Sequence, residues 1–167
     1  VYQSKFSAKI LKKAVEMGFH TAIETCAYSS WKAFERILEH LDLAYVDIKH
    51  INSAKHRKLT GKGNEVILDN IRRLDEQFPD LDLILRVPVI PGKNDSKNNM
   101  VETAQFANGL RNLKRVELLP YHRYGVSTYS VVGKKYALTH IKPPTLEQVE
   151  NLRKIMQERG LTVQIGG

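Results

Sequence analysis

Runs of strand length and strand composition alternate with amphipathic helical segments along the whole chain, and this alternation restricts the folds open to it. A helix is expected from about residue 7 to 17, with Ile10, Leu11, Ala14 and Val15 on its apolar face and Gly18 as its stop. HTAIET, residues 20–25, follows as a short strand. A second helix, about 30–40, turns Phe34, Ile37, Leu38 and Leu41 inward before AYVDIK supplies the next strand. After a polar segment, Asn64 caps a helix that carries Val66, Ile67, Ile71 and Leu74 toward the core. LDLILRVPV, residues 81–89, has the Leu and Val content of a buried parallel strand, and Pro91-Gly92 ends it. A helix near 96–110 and the strand RVELLP, residues 115–120, come next. Residues 121–143 read as a long irregular loop, Thr145 and Gln148 as the capping box of a last helix stopping at Gly160, and LTVQIGG as a closing strand. Strands alternating with helices imply βα units and a mostly parallel sheet, an α/β fold.

Each of the four main strands carries polar groups at or just past its C-terminal end, the edge where α/β folds hold ligands. These are Glu24-Thr25, then Asp47 and Lys49, then Arg86, then Tyr121-His122-Arg123. Side chains two apart on a strand share a face, so Tyr45, Asp47 and Lys49 lie on one side and Ala44, Val46 and Ile48 on the other. Structural roles stand beside the functional ones. Glu24 can pair with Lys49 or Arg86 as a buried network. Thr25 can cap the following turn. His122 can be a surface histidine, and Cys26 a small buried residue.

The net charge of +8 is spread over helix faces rather than gathered in a block, which reads as a solvated basic surface. With no basic block, nucleic acid is not the expected partner, and neither is a membrane, because no apolar run approaches the ~20 residues of a membrane span. With Cys26 as the only cysteine, no internal disulfide or cysteine-based metal site can form, and a reducing compartment, the cytoplasm, is expected.

IETCA, DIKH, LTGKGNEVILDNIRRL, RVPVIPGKND and RVELLPYHRYG together resemble the C-terminal part of a glycyl-radical-enzyme activating enzyme of the pyruvate formate-lyase activase type, within the radical S-adenosylmethionine proteins. The resemblance implies a partial (β/α) barrel, about the last four βα units of a (β/α)6 barrel. It implies S-adenosylmethionine and a [4Fe–4S] cluster as cofactors, with the cluster's CxxxCxxC motif absent from these residues. It implies a glycyl radical enzyme such as pyruvate formate-lyase as partner, and flavodoxin or ferredoxin as electron donor. Asp47 and Lys49 match the family's Asp-x-Lys motif at the cofactor, and Ile48 between them counts with that set. Arg86 matches a strand position near the ligand, and His122 the histidine of a PYH motif near the adenosine. Glu24, Thr25 and Asp47 match a site where some members hold a monovalent cation, although Asp is more usual at the position of Glu24. No residue is expected to act as a general acid or base.

The resemblance makes residues 1–167 a single truncated barrel domain, inactive alone. Its first strand would be an open edge with apolar barrel interior exposed, a surface inviting self-association. Two other readings stay open. One is a phosphate-binding barrel enzyme of the aldolase type, with Lys49 as Schiff-base amine and Arg86 for phosphate. The other is a basic nucleic-acid-binding module.

Overall fold

The computed structural model describes residues 3–166. Its centre is one five-stranded sheet, all parallel: β1 (Ala22–Thr25), β2 (Leu43–Asp47), β3 (Asp82–Val89), β4 (Leu113–Pro120) and β5 (Val163–Ile165). The strands lie in the order of the chain, β1-β2-β3-β4-β5. Doubly wound sheets reverse their strand order at a switch point, whereas a barrel winds in one direction. The sequential order is that of an arc of a barrel.

Helices α1 (Ser4–Glu16), α2 (Trp31–Leu38), α4 (Glu65–Gln77), α5 (Lys97–Ala107) and α7 (Leu146–Gln157) correspond to the five expected helical segments. The core lies between one face of the sheet and α2, α4, α5 and α7. Phe34, Leu38, Ile71, Leu74, Met100, Ala104, Val149 and Met156 pack there against Ala44, Val46, Leu83, Leu85, Val87, Val116 and Leu118. Thr145 and Gln148 form the expected reciprocal capping box of α7.

Several local expectations are corrected. Residues 53–60 are a helix, α3 (Ser53–Thr60), capped by the Asn52 side chain and stopped by Gly61 at φ 80°, where a Cβ would be strained. Its sequence SAKHRKLT has almost no apolar face, so hydrophobic periodicity does not reveal it. In α1 only Ala8 is buried; Ile10 and Val15, expected on the core face, are exposed. Val66 is exposed as well, and Asn64 directs its amide elsewhere than to its own helix. The long loop contains a short helix, α6 (Val126–Val131). Cys26 is exposed rather than buried.

Candidate functional site

Register decides which side chains meet on the other face of the sheet. Glu24 pairs with Tyr45, Tyr45 with Ile84 and Ile84 with Arg115; one step nearer the C-terminal edge, Asp47 pairs with Arg86, Arg86 with Glu117 and Glu117 with Gln164. Paired residues on parallel strands point the same way. The face away from the core therefore carries two rows of mainly polar and charged side chains, rather than the apolar interior expected.

Arg86 is the hub. Its Nε donates to Asp47 Oδ1 at 3.1 Å, and its two terminal nitrogens meet the two oxygens of Glu24 at 3.0 and 3.1 Å. The guanidinium lies 5.4 Å from the centroid of the Tyr45 ring. Lys49, two residues beyond Asp47 and just past the strand, donates from Nζ to Asp47 Oδ2 at 3.0 Å. Burial disfavours charge on Arg86, but its bonds to Glu24 and the proximity of Asp47 outweigh that and raise its pKa above the ordinary value. Of the two partners considered for Glu24, Arg86 is the one it takes.

The remaining expected residues fall elsewhere. Ile48 is buried in the core, and its N–H donates to the Arg86 carbonyl at 2.8 Å. Thr25 pairs in register with Val46, on the opposite face from Glu24, and its Oγ1 accepts from the Ala27 N–H at 3.0 Å, the turn-capping role. His122 is exposed, lies with its ring centroid 4.5 Å from that of Tyr124, and makes no bond to the Arg86 cluster. Beside Lys49 a hollow of about 190 Å³ is lined by Cys26, Tyr28, His56, Thr60 and Ile67. A larger concavity, about 630 Å³, lies at the other edge of the sheet around His20, Asp42 and Asp82, away from the charge cluster. Among the described residues, no group of three His, Cys, Asp or Glu side chains is arranged around a metal position.

Sequence reasoning missed the residues that hold the strand-end loops. Asn94 is 1% exposed. Its amide donates to the carbonyls of Lys49 and Pro88, and its Oδ1 accepts from the Ile90 N–H. Asn99 donates to the Asn94 carbonyl and accepts from the Ile51 N–H. Asn64 donates to the carbonyls of His50 and Ile51, and Asn70 to those of Ala27 and Ser29. The loop held by Asn70 contains Ala27 at φ 51°, a left-handed conformation that a non-glycine residue tolerates only under constraint. Asn64, Asn94 and Asn99 thus tie down the loops after β2 and β3, and Asn70 holds the loop after β1 onto α4. The available signal was their position, in or just before the helices that follow each strand, where a short amide reaches back to loop carbonyls.

His50 is 2% exposed, and its Nδ1 accepts from the Asn52 N–H at 3.0 Å. Burial holds its pKa below the ordinary value, aided by Lys55 and His56 and opposed by Glu102. The unfolded chain therefore takes up this proton first. Stability from His50 is full above about pH 6.5 and declines as pH falls below it toward the lower folded pKa. Urea titrations between pH 7.5 and 5.5 should show this slope, and His50→Asn, which keeps an acceptor, should flatten it; an unchanged slope refutes the assignment.

Fold and site together define an arc of a (β/α) barrel with a charged cluster at the C-terminal edge of its strands. Residues 2–107 match the family model of the Radical SAM superfamily, and the chain belongs to that superfamily. It is 38% identical over 164 residues to the 4-hydroxyphenylacetate decarboxylase activating enzyme of Clostridioides difficile, covering 98% of this chain and 52% of that protein. It is also 38% identical over 140 residues to the (2S)-3-sulfopropanediol sulfolyase activating enzyme of Bilophila wadsworthia, covering 84% and 46%. Its structure superposes with TM-score 0.81 and 27% identity on a domain of a pyruvate-formate lyase-activating enzyme from Bacteroides vulgatus, covering 99% of this chain and 92% of that one. The chain spans about half the length of the curated relatives it matches. These findings agree with the activating-enzyme resemblance carried by the motifs.

Proposed function

We propose that this chain is the cofactor-edge portion of an activating enzyme for a glycyl radical enzyme, and that Glu24, Asp47, Lys49 and Arg86 receive the amino-acid end of S-adenosylmethionine. One observation carries the reading: the two carboxylates and two cations converge at the C-terminal edge of adjacent strands, with Lys49 and Asp47 3.0 Å apart. That donor set suits a zwitterion. Lys49 uses one donor on Asp47 and has others for a carboxylate. Glu24, whose side chain is 67% exposed, and Asp47 offer oxygens to an ammonium or to a monovalent cation beside it. Glu24, Asp47, Lys49 and Arg86 would hold S-adenosylmethionine, which with a reduced cluster would supply the radical chemistry for a glycine of the partner. The residues here bind and orient; none needs to move a proton.

The cluster does not fit this chain's own residues, since Cys26 is its only cysteine and lies exposed after β1. The whole protein is proposed to use a [4Fe–4S] cluster reduced by flavodoxin or ferredoxin, and this chain alone to be inactive. Its partner is proposed to be pyruvate formate-lyase or a related glycyl radical enzyme, met in the cytoplasm; among the described residues no helix is long and apolar enough to cross a membrane. Calorimetric titration of S-adenosylmethionine into the chain tests the site: saturable binding that Lys49→Gln weakens is expected. Equal heats in the two proteins overturn the assignment.

Self-association is part of the proposal. β1 is paired on one side only, and Phe6, Ile10, Val15, Met17 and Phe19 are exposed on and just after α1. Light scattering should return a mass above the 19.1 kDa monomer; a monodisperse monomer rejects it.

A further inference from the structure

We propose that Glu117 is a second seat for the Arg86 guanidinium, taken up when a cationic ligand group occupies Glu24 and Asp47. The register puts Asp47 and Glu117 on the two strands flanking Arg86, paired with it and on the same face. Adjacent strands lie about 4.8 Å apart, well within the reach of an arginine side chain. Arg86 now spends its donors on one flank, on Asp47 and on Glu24 beyond it. The other flank is poised. Glu117 is 1% exposed, and Arg115 donates to its Oε1 twice, at 2.9 and 2.7 Å. Its Oε2 is buried with no partner, although Arg86 stands on one side and Gln164 on the other. A buried carboxylate oxygen without a donor is costly, and its nearest unspent use is the neighbouring guanidinium.

Competition supplies the reason to move. The oxygens of Glu24 and Asp47 that hold Arg86 are those a ligand ammonium or alkali ion would use. Two cations cannot share them without repulsion, and Arg86, whose side chain is 14% exposed, cannot be left unpaired cheaply. Glu117 is therefore a positioning residue that acts through Arg86. The trigger rests on the proposed cofactor site; the second seat does not.

A ligand-free thermodynamic cycle tests the seat. In the otherwise unchanged chain, Glu117→Gln should leave the unfolding midpoint unchanged or raise it, because the charge it removes is only half-paired. In a Glu24→Gln/Asp47→Asn background Arg86 moves to Glu117, and the same Glu117→Gln should lower the midpoint by about 3 °C or more. Should that background not fold, Asp47→Asn alone gives the same sign. Equal effects of Glu117→Gln in both backgrounds overturn the proposal. In a second arm, Glu117→Gln should weaken S-adenosylmethionine binding about 5-fold, and not at all when Arg86→Gln is already present. Coupling in the first arm with no cofactor binding by the unchanged chain leaves the seat standing and rejects the proposed function. Weakened binding that persists without Arg86 rejects the seat.

Discussion

Asn94→Ala is expected to reduce the free energy of unfolding by about 3–5 kcal/mol, lowering the midpoint by roughly 10 °C. Asn94 is 1% exposed and satisfies three backbone groups: the carbonyl of Lys49 just past β2, that of Pro88 near the end of β3, and the N–H of Ile90 just after it. Alanine leaves all three without a partner in a closed setting, each at about 1–3 kcal/mol, and adds a small cavity. Asn94→Asp is informative beside it. It keeps the acceptor for Ile90 but turns a carboxylate toward two carbonyls, so it should be at least as damaging. The loss extends to the site, because the Lys49 carbonyl is the point at which the loop is tied down. S-adenosylmethionine binding should fall more in Asn94→Ala than in a core substitution of equal destabilisation such as Leu74→Ala. A loss below about 1 kcal/mol would mean that water replaces the amide and that the splice is not structural.

Asp47→Ala is the second large effect. S-adenosylmethionine should bind about 100-fold more weakly, equivalent to about 2.7 kcal/mol. Asp47 alone touches both cations, receiving Lys49 on Oδ2 and Arg86 on Oδ1, so its removal frees Lys49 and strips Arg86 of one of its two carboxylate partners. The stability cost is smaller, about 1–2 kcal/mol, since the Asp47 side chain is 21% exposed and solvent screens part of the interaction. Asp47→Asn retains the shape and one acceptor and should weaken binding about 10-fold. Calorimetry on the three proteins orders them; binding by Asp47→Ala within twofold of the unchanged chain would remove Asp47 from the site.

The pairing of Asp47 with Lys49 and Arg86 was legible because strand periodicity alone puts Asp47 and Lys49 on one face, and an arginine in an apolar strand demands a partner. Thr25 caps a turn for a related reason. It follows Glu24 directly, so it points to the opposite face, and register with Val46 makes this explicit. Ile48 likewise lies between Asp47 and Lys49 yet faces the core. His122 lies beyond the end of β4, where no periodicity orients a side chain.

The pattern along the chain was enough to establish the order of the strands and of α1, α2, α4, α5 and α7, the parallel sheet, the capping box of α7 and the polar edge, because hydrophobic period and capping chemistry act between residues a few positions apart. Which charges face one another was a matter of the folded state. Glu24 and Arg86 are 62 residues apart and meet through strand register, and Asn94 reaches Lys49 across 45 residues. The orphan oxygen of Glu117 likewise exists only because β3, β4 and β5 are aligned as they are. Contacts of that range depend on packing that brings distant segments together, and no local run of residues encodes it.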